Sequence, residues 1–469
     1  MTKHAPFFAV LIAYLIVGAL YAVRTPAWQA PDEPAHYNYA AQVAANGCCP
    51  VIEMGDWDAA YLDTLKAEHF APALLDRLAT IQYEDHQPPL YYLLSGLVYR
   101  LTDGSLIALR LFSVLISAGI VACAYAIILA LLPDRRTVAL AAALLVGFIP
   151  QNLAIMASVN NDSLAGLLVG VTLYLLIRYV QGARVPEWTL GVVVGVGLLT
   201  KVNTLFLAGL VPLFILLYWW FTPERRFTEL IRRLALFALP ALILGGLWWL
   251  RNVGVYGFPD VFGLRRHDQV VVGQLRTAEL IAQVGVSEYL RRALDTTFTS
   301  FFGQFGWMGL FMPTWAYWFV LAFLGMVISG GVIGVLLHVR TPDPQRVGLD
   351  AVSPMKRAEQ PASAGLVPLP EVLNLRRLAW AILALTTLLA VLQYLYYNTE
   401  FVQFQGRYLY PALIPLAIFA ALGLDAWRRL LARLSGDRPA LAWLTPVIAA
   451  LFIPLSLFMI WRVIPQLAP

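Results

Sequence analysis

The chain has 469 residues, of which 60% are hydrophobic and 13% charged, with a mean hydropathy of +0.70. Charged residues make up about a quarter of a soluble domain, so a single water-solvated core is excluded and the bilayer sets the architecture. The net charge of +5 then matters through its distribution, because Lys and Arg mark cytoplasmic loops.

The first apolar stretch, 6–23, is long for a signal segment and has no small-residue cleavage site before Arg24, so it reads as a retained anchor. Further stretches of spanning length follow at 106–132, 138–156, 164–180, 234–250, 315–337, 378–396, 408–424 and 441–461. Two shorter helices are expected between Trp188 and Phe221, divided at Thr200-Lys201. The fold class is thus an all-α polytopic membrane protein with about eleven transmembrane helices. With the N-terminus cytoplasmic, alternate turns carry Arg135 and Arg136, Arg178 and Arg184, Arg225, Arg226, Arg232 and Arg233, the stretch 340–377, and Arg428, Arg429, Arg433 and Arg438. This is a repeated positive-inside pattern.

That pattern depends on the segment 88–101. Its apolar residues Leu90, Leu93, Leu94, Leu97, Val98 and Leu101 recur at helical spacing, with Tyr92, Ser95, Tyr99 and Arg100 on the other face. A helix of this length reaches about 20 Å against a hydrocarbon core of about 30 Å, so it is expected to lie in the outer interface. The stretch from Trp28 to Asp103 becomes one external loop with short helical patterns.

A second external stretch, 251–313, carries Arg265, Arg266, His267 and Asp268 and is expected to close over the membrane surface with the first. The polar, Pro-rich run 341–370 reads as a cytoplasmic linker. Four units follow: a catalytic module 1–221 including the loop 25–105, helices 222–340 with the loop 251–313, a linker 341–377, and C-terminal helices 378–469. Cys48, Cys49 and Cys123 form neither a disulfide framework nor a metal-ligand spacing.

Several polar groups fall at the external ends of spans. Asp32 and Glu33, with His36, follow the first span at a Pro-marked helix start, where acids commonly serve only as caps. Asp162, in Ser158-Val159-Asn160-Asn161-Asp162-Ser163, is either a further carboxylate at that surface or an ordinary turn residue. Lys201 interrupts an apolar stretch, where a cation costs about 2.5–3.5 kcal/mol on insertion scales. It either meets a lipid phosphate or snorkels to the interface.

Arg251, after Trp248-Trp249, and Arg407, beside Tyr408, add cations at the same level. Together with Lys201 they supply the field that a phosphate leaving group needs. His86-Gln87-Pro88-Pro89-Leu90-Tyr91-Tyr92 can bring His86 and Tyr92 beside the acids. Ligand chemistry allows a divalent metal at Asp32, Glu33, His36 or His86, but no spacing requires one. No zinc, P-loop or dinucleotide signature occurs, and no nucleic-acid partner is expected.

The ordered series Pro31-Asp32-Glu33 with His36, His86 to Tyr92, Asn161-Asp162, Thr200-Lys201 and Gly406-Arg407-Tyr408 resembles the GT-C superfamily of integral-membrane glycosyltransferases. It is most similar in pattern to bacterial aminoarabinose transferases and protein mannosyltransferases. The resemblance implies transfer of a sugar from a polyprenyl-phosphate carrier to a lipid, glycan or protein acceptor. It implies a site on the external face of the plasma membrane, with Asp32 as base, Asp162 as a second acid, and Lys201 against the carrier phosphate. Arg251 and Arg407 extend the phosphate contact. The chain departs from those relatives in carrying no large soluble domain after Trp461.

One base and one displacement predict inversion at the anomeric carbon, unlike the paired carboxylates of glycoside hydrolysis. The rival readings are a lipid-linked sugar transporter or flippase, whose acids belong at the midplane, and a glycan ligase with a lipid diphosphate donor.

Overall fold

The computed structural model describes residues 2–222, 225–339, 369–436 and 438–469. The expected linker lies outside them up to residue 368. The chain is an integral membrane protein of packed helices. Among the described residues nine helices are long and apolar enough to span, and ten if the bent pair α6 (Arg136–Phe148) and α7 (Pro150–Met156) counts as one span.

The bend of 63° has a local cause. Pro150 lacks an N–H and pushes Ile149 into an extended conformation (φ −64°, ψ 122°). The Asn152 amide then donates to the freed Val146 carbonyl at 2.8 Å.

The shortest of the expected crossings is α9 (Glu187–Leu198), whose 12 residues reach only about 18 Å. It still joins the two ends of the bundle, since Glu187 accepts from Tyr179 at the end of α8 (Asp162–Val180) and Lys201, just after α9, pairs with Asp162 at the start of α8. This helix lies tight against α11 (Phe227–Tyr256). A Cβ on Gly191 would fall 2.2 Å from the Phe237 carbonyl oxygen, so only glycine permits the approach. The break expected at Thr200-Lys201 is present, and the chain resumes as a 3₁₀ turn, Val202–Leu205, leading into α10 (Phe206–Phe221).

The polypeptide between α1 (Ala5–Arg24) and α5 (Leu106–Leu131) builds a layer over one end of the bundle. It contains α2 (Glu33–Asn46), α3 (Ala59–Ala67), a 3₁₀ segment Pro72–Thr80 and α4 (Leu90–Leu101). Within α4, Tyr91, Tyr92, Ser95 and Gly96 are buried, whereas Leu93, Leu94, Leu97 and Leu101 are 41–77% exposed. A helix that turns its polar face to protein and its leucines outward fits an interfacial position. Its end stays with the layer, since the Tyr37 hydroxyl donates to the Gly104 carbonyl at 2.7 Å.

The second loop packs on the first, as the sequence led us to expect. It contributes α12 (Leu264–Val270), α13 (Thr277–Phe302) and a two-residue hairpin, β1 (Gln304–Phe305) with β2 (Leu310–Phe311). Val270 and Val271 join Ile52, Leu62, Leu65, Phe70 and Ile81 in one apolar cluster. The Trp57 and Trp307 indoles donate across the seam to Val272 and Trp28 carbonyls, each at 2.9 Å.

The opposite end of the bundle holds arginine clusters such as Arg135, Arg428 and Arg429 around Asp425.

If α4 lies in the interface, Glu53→Cys and Asp103→Cys, at two exposed positions flanking it, will react with an impermeant maleimide from the same membrane side. Labelling from opposite sides would show that α4 crosses.

Candidate functional site

At the start of α2 the chain concentrates its polar groups. Glu33 is fully buried and paired with Arg110 of α5 through two bonds, Nη2 to Oε2 at 2.6 Å and Nε to Oε1 at 2.7 Å. The same carboxylate accepts from the backbone N–H groups of Trp28 and Val159, both at 3.2 Å. The remaining Arg110 donors go to the carbonyls of Ala22, Thr25 and Pro26 at the end of α1. Glu33 therefore ties together α1, α2, α5 and the turn before α8 (Asp162–Val180), and all its acceptor capacity is used.

Asp32 is built differently. Its backbone is left-handed (φ 66°), a conformation Asp and Asn tolerate best among side-chain-bearing residues, and its side chain makes no capping bond. The carboxylate instead pairs with Arg407 at 2.5 Å and accepts from the Tyr83 hydroxyl at 2.9 Å. Burial works to raise the Asp32 carboxyl, but the adjacent Arg407 guanidinium outweighs it and holds the group at about 2. The ordinary capping role is thus excluded by geometry.

Arg407 arrives from a distant segment, the 3₁₀ turn Gly406–Ala412. The Gly406 N–H donates to the Ser300 hydroxyl at 2.7 Å, and a Cβ there would come within 2.4 Å of the Phe301 nitrogen and 2.5 Å of the Thr297 carbonyl oxygen. The Gly-Arg pair is therefore a docking device: glycine lets the turn press onto α13, and arginine then projects to Asp32. Arg407 Nε is buried and makes no hydrogen bond.

Asp162 opens α8. The turn that the sequence could have assigned to it is made by Asn160, whose side chain accepts from the Asp162 N–H at 2.8 Å. The Asp162 carboxylate is left to pair with Lys201 Nζ at 2.5 Å, each side chain 20% exposed. Lys201 thus does not snorkel. The α9 break sits at this level because the Leu199 carbonyl accepts from the Leu90 N–H at 2.9 Å and Asn161 reaches the Thr200 carbonyl at 3.4 Å. Arg407 is close enough to both Asp32 and Asp162 for its charge to act on each.

His36 bonds the Tyr92 hydroxyl at 2.7 Å, and Tyr92 stacks on Tyr39. Burial holds the His36 imidazole below its usual range, against the pull of Glu84 and Asp32. Tyr408 packs edge-on against Tyr397, with ring centroids 5.7 Å apart. His86 is buried beside the His267 ring (4.4 Å), with Nδ1 bonded to the Tyr83 carbonyl at 3.1 Å.

Arg251 is not joined to this group. Its guanidinium donates to the carbonyls of Cys49 and Pro50 and to the Tyr256 hydroxyl, bracing the loop against α11. Among the described residues no three His, Cys, Asp or Glu side chains gather as a metal site.

Tyr83 and Glu84 also belong to the site, and the motif reading passed them over. Their only signal is position, an aromatic and an acid immediately before Asp85-His86. Asp85 is buried, and burial pushes its carboxyl up to about 8, against the stabilising hydrogen bond from Gln42 at 2.7 Å.

A family model described as dolichyl-phosphate-mannose-protein mannosyltransferase matches residues 86–249. The match bears out the motif resemblance over a stretch that holds His86, Asp162 and Lys201, while Asp32 and Arg407 lie outside it. No curated protein matches the chain at a significant level. Two crystal structures of ArnT from Cupriavidus metallidurans are similar. The one bound to undecaprenyl phosphate has 14% identity and a TM-score of 0.47, covering 98% of this chain and 73% of that one. The apo state has 14% identity and a TM-score of 0.48, covering 99% and 74%.

Removing one partner of a buried ion pair costs about 3–5 kcal/mol, so Arg110→Ala will lower stability by that order in chemical denaturation, far more than Arg251→Ala. Because the folded-state carboxyl of Asp85 lies above its unfolded value, its contribution is complete at acid pH and is lost as pH rises from about 4 to about 8. Melting temperatures of the protein and of Asp85→Asn measured over that window will diverge, with the variant relatively more stable at the upper end.

Proposed function

We propose that this chain is a glycosyltransferase that moves a sugar from a polyprenyl-phosphate carrier to an acceptor hydroxyl on the external face of the membrane, with inversion. The observation that carries the reading is the gathering of two carboxylate–cation pairs, Asp32 with Arg407 and Asp162 with Lys201, at the loop-covered end of the bundle. The match of residues 86–249 to a family named for a lipid-phosphate-linked mannose donor supports it. So does the arginine-rich opposite end, which positive-inside statistics assign to the cytoplasm.

The chemistry follows from charge. The phosphate of the donor competes with Asp32 for Arg407, whose Nε is still unbonded, and with Asp162 for Lys201. As Arg407 turns to phosphate, the Asp32 carboxylate loses the interaction that makes it a weak base, and its proton affinity rises. It then takes the acceptor hydroxyl proton while the acceptor oxygen forms a bond to the anomeric carbon. The bond from that carbon to the phosphate oxygen breaks, and the electron pair leaves on the phosphate held by Lys201 and Arg407.

Asp162 positions Lys201, while the neutral His36 and Tyr92 support the wall behind Asp32. Glu33 and Arg251 serve as braces in this scheme. The catalytic module 1–221 borrows Arg407 from the C-terminal helices, so the site spans both units. A transporter would want its acids midway along the helices; here they stand at helix ends.

In reconstituted protein, Asp32→Asn keeps a side chain suited to the left-handed backbone. It should bind undecaprenyl phosphate at least as tightly as the parent, since the carboxylate that competes for Arg407 is gone, while losing about 10²–10⁴-fold in transfer. Lys201→Ala should weaken binding of the same lipid by about tenfold or more, the value of a charge-assisted contact. Full transfer by the first variant removes the base, and unchanged lipid affinity in the second removes the phosphate contact.

A further inference from the structure

Among the described residues Glu84 has neither a cation nor a side-chain donor, whereas the adjacent Asp85, which also lacks a cation, accepts from Gln42 at 2.7 Å. Glu33 has Arg110, Asp32 has Arg407 and Asp162 has Lys201. No described side chain pairs with Glu84, and its Oε2 is enclosed by protein without accepting a hydrogen bond. A buried acceptor left unmade costs more than a typical hydrogen bond returns, so such a group calls for a donor from outside the chain.

Its position is fixed. Glu84 lies in a turn in which the Asp85 N–H donates to the Gln82 carbonyl at 3.0 Å and the Gln87 N–H donates to the Glu84 carbonyl at 2.9 Å. The preceding residue, Tyr83, is bonded to Asp32. Glu84 is close enough to His36, Tyr92, Tyr397 and Tyr408 to act on each electrostatically.

An unpaired carboxylate repels phosphate and accepts hydrogen bonds from neutral hydroxyl groups. A donor drawn by its phosphate to Lys201 and Arg407 is thereby oriented with its ring toward Glu84. Tyr397 and Tyr408, within electrostatic range of that carboxylate, offer an apolar surface for the C–H face of such a ring, in the usual division of a ligand site between apolar walls and a few placed polar groups.

We propose that Glu84 is a specificity-determining residue whose carboxylate accepts hydrogen bonds from hydroxyls of the sugar being transferred, held against the Tyr397–Tyr408 pair. The assignment rests on the glycosyl transfer proposed above. A site built to bond a substrate hydroxyl discriminates strongly against a ligand that lacks it, so sugar choice would reside here rather than in the phosphate contacts.

The test compares the full chain with Glu84→Gln and Glu84→Ala, each first shown by thermal unfolding to be folded. Dissociation constants are measured for undecaprenyl phosphate alone and for undecaprenyl-phosphate-linked hexose, pentose and amino sugar. The ratio of bare to glycosylated lipid isolates the sugar. In the parent at least one sugar should tighten binding. Both variants should cut that gain by about tenfold while leaving bare-lipid affinity within about twofold.

An unchanged gain in the near-isosteric Gln variant overturns the assignment. So does the absence of any gain in the parent, or an equal loss of bare-lipid affinity in the variants. Failure of the parent to bind bare lipid overturns the donor class itself, and this assignment with it.

Discussion

The buried pair between Glu33 and Arg110 is the constraint on which the site depends. One carboxylate and one guanidinium, both removed from solvent, fasten the end of the first helix, the start of the second, the fifth, and the turn before the eighth. Charges taken out of water are tolerated only when every donor and acceptor is satisfied, and here the surrounding carbonyls and N–H groups complete the set. The consequence is positional. Asp32 precedes Glu33 and Asp162 follows Val159 by three residues, so a single ion pair fixes both chemically available acids relative to one another.

The two available pairs differ from that brace in exposure and in completeness. Asp32 retains 24% and Asp162 20% side-chain exposure, and Arg407 keeps an unbonded N–H. A structural ion pair saturates its partners; these pairs leave capacity for a third party. The left-handed backbone at Asp32 adds to the contrast, since strained conformations of side-chain-bearing residues persist where the surroundings over-determine them and tend to mark functional positions.

Much of this was legible in the sequence. Span positions follow from apolar length, and the two-faced character of α4 from its single leucine stripe. The break at Thr200-Lys201 was visible because a cation in an apolar run is costly. What the sequence concealed is partnership. Asp32 and Glu33 are adjacent and chemically alike, yet one is a brace and the other is accessible, because Arg110 lies 77 residues away and Arg407 lies 375 residues away. Arg251 looked like an interfacial cation and is absorbed by loop carbonyls that no local pattern reveals. Glu84 was invisible because an acid in a loop is ordinary; only its lack of a partner sets it apart.

In the interfacial position that α4 fits, its outward leucines would set the depth of the whole arrangement. Its apolar side would rest on lipid, while its opposite side carries Tyr91, bonded to the Asn160 N–H, and Tyr92, bonded to His36. The acids and cations would then be indexed to the interfacial plane of the bilayer, the plane in which any lipid-borne phosphate diffuses. For the donor proposed here, encounter becomes a search in two dimensions at a fixed height, and bilayer thickness becomes a variable to which turnover should respond.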